Sequence, residues 1–110
     1  MKPFRFEQAK TMYQASEAHL KQTPNASFIA GGTDILGEIK EGNIDVDTLI
    51  SLAELPNMSE IADLSEHLEV GALVTLSRVA LDKLVGCYYP ALSQAAMSVA
   101  MPQIRNVGTL

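Results

Sequence analysis

Cysteine is nearly missing from this 110-residue chain. Cys87 stands alone, so no internal disulfide can form, and no Cys/His set has the spacing of a zinc or iron–sulfur site. Without a neighbour that would activate it, Cys87 is expected to be a small buried hydrophobe. Positive charge is also scarce: 8 Lys and Arg face 13 Asp and Glu, for a net charge of -5. No basic surplus exists to displace counterions, which argues against a nucleic-acid or anionic-membrane partner. Long hydrophobic runs are missing too. None approaches the ~18 residues of a membrane span, and "MKPFRFEQAK" lacks the apolar centre of a secretory signal. The cytoplasm is the expected compartment. His19 and His67 lie on polar, Glu-flanked stretches, outside any triad, and are expected at the surface. The carboxylates are scattered, with no acid pair of the glycosidase kind. What the chain does have is 47% hydrophobic residues with 19% charged, which suits a packed core rather than disorder.

Ala9, Met12, Tyr13, Ser16 and Leu20 recur at spacings of three and four, predicting a helix over Glu7–Gln22 with this stripe inward. Pro24 and Asn25 stop it. "SFIA" (27–30) and "VDTLISL" (46–52) read as buried strands. Between them Ile35, Leu36 and Ile39 mark a short helix with Thr33 or Asp34 at its start, Lys40 in its last turn and Gly42 beyond. Phe4–Phe6 adds an edge strand. This order suits a small parallel α/β unit. After a seam near Pro56 the pattern changes. "LEVGAL" alternates as a half-exposed strand, and "MSEIADL" pairs with it through a turn at Ser65 and Glu66. Thr75 or Ser77 caps a helix reaching Val85. Pro90 opens another, with Leu92, Ala95, Ala96 and Val99 as its stripe and Pro102 as its end. "PQIRNVGTL" reads as a loop. Met97 and Met101 are expected to fill core or interface gaps.

The chemistry concentrates in "SFIAGGTDILGEIKEG", residues 27–42. A strand runs into Gly31-Gly32 and then into a helix start, whose first N–H groups lack helical partners. Glycine lets an anion approach the main chain and permits positive φ. A phosphate or diphosphate at Ala30–Asp34 is therefore the expected ligand, and a side chain at Gly32 is expected to occupy the anion's place. The glycine spacing matches neither the three-glycine dinucleotide fingerprint nor a Walker loop, and a plain tight turn remains the structural alternative. Asp34 reads as a helix cap or as a partner for a ligand hydroxyl. Arg105, the one cation of the tail, reads as a phosphate contact, a partner-subunit contact or a surface salt bridge.

"FIAGGTDILGEIK" and "PQIRNVGTL" occur in order, with "VDTLISLAELPNMSEI", "LEVGALVTLSRV" and "YPALSQAA" between them. This arrangement resembles the FAD-binding subunit or domain of the molybdenum hydroxylases, which include xanthine dehydrogenases, carbon monoxide dehydrogenases and aldehyde oxidoreductases. The resemblance implies an α+β (mixed α/β) fold of the p-cresol methylhydroxylase type. Residues 1–55 would form its N-terminal α/β lobe and 56–110 the start of a second lobe, truncated. It implies FAD as cofactor, contacted by Phe28, Ile29, Ala30, Gly31, Gly32, Thr33, Asp34 and Ile35, with Ile35 near the adenine side. The family's second contact, a Thr–x–Gly-Gly-Asn turn, is represented by Thr109 and Leu110. The chain then reads as the N-terminal portion of a longer protein, inactive alone, with no catalytic residue and no metal of its own. Its implied partners are a molybdopterin-binding subunit and an iron–sulfur subunit, and its implied role is to pass electrons from iron–sulfur clusters through flavin to an acceptor such as NAD.

Two other readings compete. A βα phosphate site of a sugar-phosphate or barrel enzyme would use "FIAGG" alone. A non-catalytic assembly module would fold and bind a partner without flavin.

Overall fold

The computed structural model describes residues 2–22 and 24–110. The chain divides into two compact units, Met1–Pro56 and Asn57–Leu110.

In the first unit the order is β1 (Arg5–Gln8), α1 (Met12–Gln22), β2 (Ala26–Ile29), α2 (Ile35–Lys40) and β3 (Thr48–Ser51). The strands form one sheet in the order β1-β3-β2, parallel throughout, with Thr48 opposite both Arg5 and Ala26. All four residues of the central strand β3 are buried. This is why "TLIS" has no polar alternation of the half-exposed kind: both faces of a covered parallel sheet must be dry. Because side chains alternate across the strand, Leu49 faces one layer and clusters with Ile29, Ile39 and Val46, over which Phe4 and Ile35 pack. Thr48 faces the other layer, where its hydroxyl donates to Gln22 Oε1 of α1 at 2.7 Å.

Two expectations change here. Glu7 and Gln8 belong to β1, and α1 begins only at Met12. Thr11 Oγ1 accepts the Gln14 N–H at 3.0 Å while Gln14 Oε1 accepts the Lys10 N–H at 3.0 Å, a near-reciprocal cap that sets the start. The inward face of α1 is also different. Ala15 is buried, Ala18, His19 and Gln22 are half-buried on the same stripe, and Met12, Tyr13 and Leu20 are exposed. Small side chains let the helix sit close on the sheet, and the larger apolar ones are left outside.

The second unit opens with an antiparallel hairpin, β4 (Ile61–Asp63) and β5 (Leu68–Val70), with Ile61 opposite Val70. Ser65 takes a φ of 72° in the turn. Four helices follow: α3 (Leu76–Leu81), α4 (Lys83–Tyr88), α5 (Pro90–Met97) and α6 (Pro102–Arg105). Val74, Val79, Val85 and Ala96 form the core, and Ile61, Leu68, Val70 and Leu92 pack against it. Thr75 Oγ1 caps α3 by accepting the Arg78 N–H at 3.3 Å. The predicted single helix to Val85 is instead two. Asp82 is extended (φ -70, ψ 132), and its carboxylate accepts the N–H groups of Leu84 and Val85 at 2.9 and 3.0 Å, restarting the chain as α4. Pro90 holds the first position of α5 as expected. Val99 lies beyond the end of α5, and Pro102 starts α6 where a loop was expected, since a proline that cannot continue one helix suits the first position of the next. Cys87 is exposed, against the expectation of a buried position, and Met97 and Met101 are exposed, which removes the core half of the expectation made for them and leaves the interface half.

Candidate functional site

The corner between β2 and α2 is built by the end of the parallel sheet. Ile29 is the last residue of β2; its carbonyl accepts the Leu52 N–H at 3.0 Å, and its side chain is held in the core. The chain then leaves the sheet through Ala30–Asp34 and enters α2. Gly32 has a φ of 76°, a conformation that L side chains rarely adopt. A Cβ there would lie 3.1 Å from Leu36 Cδ1 and 3.3 Å from Ile29 Cδ1. A side chain at 32 would therefore crowd the apolar groups under the turn, which corrects the expectation that it would fill the space of an anion. The glycine is needed for the shape of the corner.

That shape leaves donors available. The carbonyls of Gly32 and Asp34 accept the N–H groups of Leu36 (3.4 Å) and Glu38 (3.1 Å), so the acceptors are used. Among the described residues, the N–H groups of Gly31, Gly32, Thr33 and Asp34 donate to no main-chain or side-chain acceptor. Thr33 and Asp34 are exposed and the two glycines are half-buried. No lysine or arginine occurs between Ser27 and Ile39, so any anion held here is held by main-chain dipoles. Asp34 stands at the N-cap position of α2 with helical dihedrals (φ -109, ψ -58) and no side-chain cap hydrogen bond. The capping role expected for Asp34 or Thr33 is thus not performed, because a cap residue needs extended dihedrals to turn its carboxylate back on the helix. The far end of α2 closes as its sequence predicts: Gly42, at a φ of 79°, donates to the Ile39 carbonyl and Asn43 donates to Glu38, a Schellman motif.

The eight residues named for the cofactor thus divide by role. Ile29 is buried in the core, and Ile35 packs half-buried against it. The Phe28 ring stacks on His19 of α1, centroids 4.8 Å apart and planes at 21°. His19 is therefore half-buried against an aromatic ring and not a free surface residue. The signal for this was present in the spacing of Ala15, Ala18, His19 and Gln22, one face of a helix, but the larger Met12, Tyr13 and Leu20 outweighed it. Ala30 through Asp34 remain as the accessible corner.

Thr109 and Leu110 belong to the other unit. Thr109 forms an antiparallel bridge with Thr75, and the Leu110 N–H donates to the Val74 carbonyl at 3.0 Å. Arg105 takes part in no salt bridge among the described residues: its guanidinium donates to the carbonyls of Val99 (3.0 Å) and Ala100 (3.3 Å), bracing a turn in which Ala100 has a φ of 45°.

A mixed α+β chain with a glycine corner of this kind defines a class, and known proteins identify it. The fold matches that of carbon monoxide dehydrogenase from Hydrogenophaga pseudoflava with a TM-score of 0.93, 26% identity, and coverage of 99% of this chain and 39% of that one. Quinoline 2-oxidoreductase from Pseudomonas putida 86 matches with a TM-score of 0.89 at 29% identity over 99% of this chain. The chain belongs to the family described as the FAD binding domain in molybdopterin dehydrogenase, whose profile matches residues 2–110. Among its relatives, the nicotinate dehydrogenase FAD-subunit of Eubacterium barkeri is 34% identical over 112 residues, covering 100% of this chain and 38% of that protein. The xanthine dehydrogenase FAD-binding subunit of Escherichia coli O157:H7 is 33% identical over 82% of this chain and 31% of that protein. The chain thus spans about a third of the length of the curated relatives it matches. The α+β fold of the p-cresol methylhydroxylase type stands, and FAD is the cofactor of the family. The antiparallel β4–β5 pair has no place in the barrel alternative, whose core strands are parallel. Among the described residues no helix is long and apolar enough to cross a membrane.

The residues present fit the cofactor's diphosphate. A run of unpartnered N–H donors at a glycine corner is the arrangement that a phosphate anion satisfies without a basic side chain.

Proposed function

We propose that this chain is the FAD-holding part of a molybdenum hydroxylase of the xanthine dehydrogenase kind, relaying electrons from iron–sulfur clusters to an acceptor such as NAD. One observation carries the reading: the N–H groups of Gly31, Gly32, Thr33 and Asp34 have no acceptor among the described residues, at the segment that the resemblance marks for cofactor contact. In this role those amides bind the diphosphate, and the positive φ of Gly32 aims them. Phe28, Ile29 and Ile35 hold the corner in place from the α1 layer and the core. With the cap role excluded, the Asp34 carboxylate accepts a hydrogen bond from a ligand hydroxyl. Thr109 and Leu110 belong to the second contact, which the longer protein completes. Residues 1–55 and 56–110 serve as the first lobe and the beginning of the second. The flavin, when bound, supplies the redox chemistry, and the protein supplies binding and orientation. The partners in this reading are a molybdopterin-binding and an iron–sulfur subunit, and the compartment is the cytoplasm.

The test is a titration of the full-length protein with FAD followed by flavin fluorescence. Gly32→Ala is expected to weaken FAD binding at least tenfold, ~1.4 kcal/mol, while also destabilising the fold by about 1–2 kcal/mol through the left-handed φ. Affinity is compared at a temperature where far-UV circular dichroism reports both proteins folded. Wild-type protein that folds and assembles with a partner but takes up no FAD would leave the assembly-module reading in place of this one.

A further inference from the structure

We propose that Arg105 is a positioning residue for FAD: it sets in place the second cofactor contact, the segment of Thr109 and Leu110. This role rests on the function proposed above. α6 spans only Pro102–Arg105 and has no buried residue. Apolar burial therefore cannot fix where it lies, and polar links must. The chain just after α6 is tied to the start of α3. Ser77 Oγ donates to Asn106 Oδ1 at 2.5 Å, the Leu76 N–H donates to the Gly108 carbonyl at 2.9 Å, and the Leu110 N–H donates to the Val74 carbonyl at 3.0 Å. Val74 belongs to the core of the unit. Because the groups on either side of it are used in this way, the N–H of Thr109 points away from Thr75, its partner in the antiparallel bridge. Among the described residues neither that N–H nor the Thr109 hydroxyl has a hydrogen-bond partner. The segment thus holds two polar groups in a fixed place with their capacity unspent.

The entrance to α6 depends on Arg105. Its Nη1 donates to the Val99 and Ala100 carbonyls at 3.0 and 3.3 Å, immediately before the helix. Ala100 has a φ of 45°, a left-handed conformation that crowds the Cβ of an L residue against a carbonyl oxygen. Such a turn persists only where its surroundings hold it. Charge-assisted hydrogen bonds from one guanidinium to two successive carbonyls provide that hold. Arg105 is also the last residue of α6, one position before Asn106, so a single side chain joins the strained entrance to the segment that follows. Pro102 stiffens the first position between them. Without the guanidinium the turn relaxes, and α6 moves with the residues it carries. A one-turn helix with nothing buried adds little to a core. What its order delivers is the placement of Thr109.

The experiment titrates the full-length protein and its variants with FAD at a temperature where circular dichroism reports them folded. Arg105→Ala is expected to weaken FAD binding about three- to tenfold. Arg105→Lys, which keeps a charged donor but loses the planar fork, is expected between the two, and it decides alone where Arg105→Ala does not fold. Asp82→Ala weakens the same unit through a cap that α6 does not share, and it is expected to leave FAD affinity unchanged. Amide hydrogen exchange of the protein without FAD, read by mass spectrometry, supplies the second measurement. Arg105→Ala should quicken exchange across residues 107–110 and leave residues 83–88 as in wild type. Wild-type FAD affinity in the Arg105 variant, unchanged exchange at 107–110, or an equal loss of affinity in Asp82→Ala overturns the positioning role. Wild-type protein that takes up no FAD overturns instead the reading on which the role rests, so the two failures are told apart.

Discussion

At Gly71 the chain passes so close to Met58 that a Cβ would lie 2.1 Å from the Met58 carbonyl oxygen. That same oxygen accepts the Leu73 N–H at 2.8 Å, so it cannot retreat without breaking a hydrogen bond. Gly71→Ala is therefore expected to destabilise the Asn57–Leu110 unit by about 1–3 kcal/mol, the usual cost of forcing extra atoms into a filled space, measured as a fall in urea midpoint. Asp34→Ala separates binding from folding in the opposite way. Its carboxylate caps nothing, so stability should stay within about 0.5 kcal/mol, while FAD affinity should fall several-fold if the carboxylate meets a ligand hydroxyl. Thermal unfolding and flavin titration of the same variant check both halves. Individual residues were unevenly legible. Gly32 and Gly42 could be assigned to turns from glycine chemistry alone. Gly71 looked like an ordinary strand position, because nothing local announces that a distant carbonyl sits against it.

Among the elements, the break between α3 and α4 depends on one side chain. Asp82 leaves the helical region and accepts two N–H groups of the next helix. Asp82→Ala is expected to cost about 1 kcal/mol, and Asp82→Asn to recover most of it, as for other N-caps. Chemical denaturation of the two variants side by side distinguishes capping from charge. The strand–helix alternation of the first unit, the hairpin after it, the Thr75 cap and the Pro90 start were all readable from period and punctuation. The inward face of α1 was not. Hydrophobic periodicity reports which residues are apolar together, and here Met12, Tyr13 and Leu20 share a face that this chain leaves exposed, while alanines make the sheet contact.

For the molecule as a whole, the scarcity of positive charge gives single lysines weight. Lys2 bridges Asp45 and Asp47 at 2.5 and 2.9 Å and ties the entry to β1 to the entry to β3. Lys2, and then a hydrogen bond from Asn25, hold the Asp47 carboxyl below its ordinary range, and Asp45 and Asp47 raise the Lys2 ammonium. A carboxylate depressed in the folded state contributes stability above its unfolded pKa and loses it as pH falls through the folded one. A raised lysine contributes below its unfolded pKa and loses it as pH climbs through the folded one. The difference in melting temperature between wild type and Lys2→Ala should thus be present near neutrality, vanish at both acid and strongly alkaline pH, and shrink in high salt, because all three groups are exposed.

The order of strands and helices and the glycine corner follow from the sequence by itself, because each rests on local chemistry: what φ a residue tolerates, which period its apolar neighbours keep, which N–H groups a turn exposes. The FAD-binding family was legible too, but through the resemblance of several motifs in order and not through any of these local rules. Which face of α1 packs inward, why Asp34 fails as a cap, where Arg105 sends its donors and how Tyr88 and Tyr89 come to wall a hollow with Asp63 and Glu66 were decided only by tertiary structure. These depend on close approach between segments far apart in the chain, and packing volume and hydrogen-bond geometry at such contacts have no signature in the neighbouring residues.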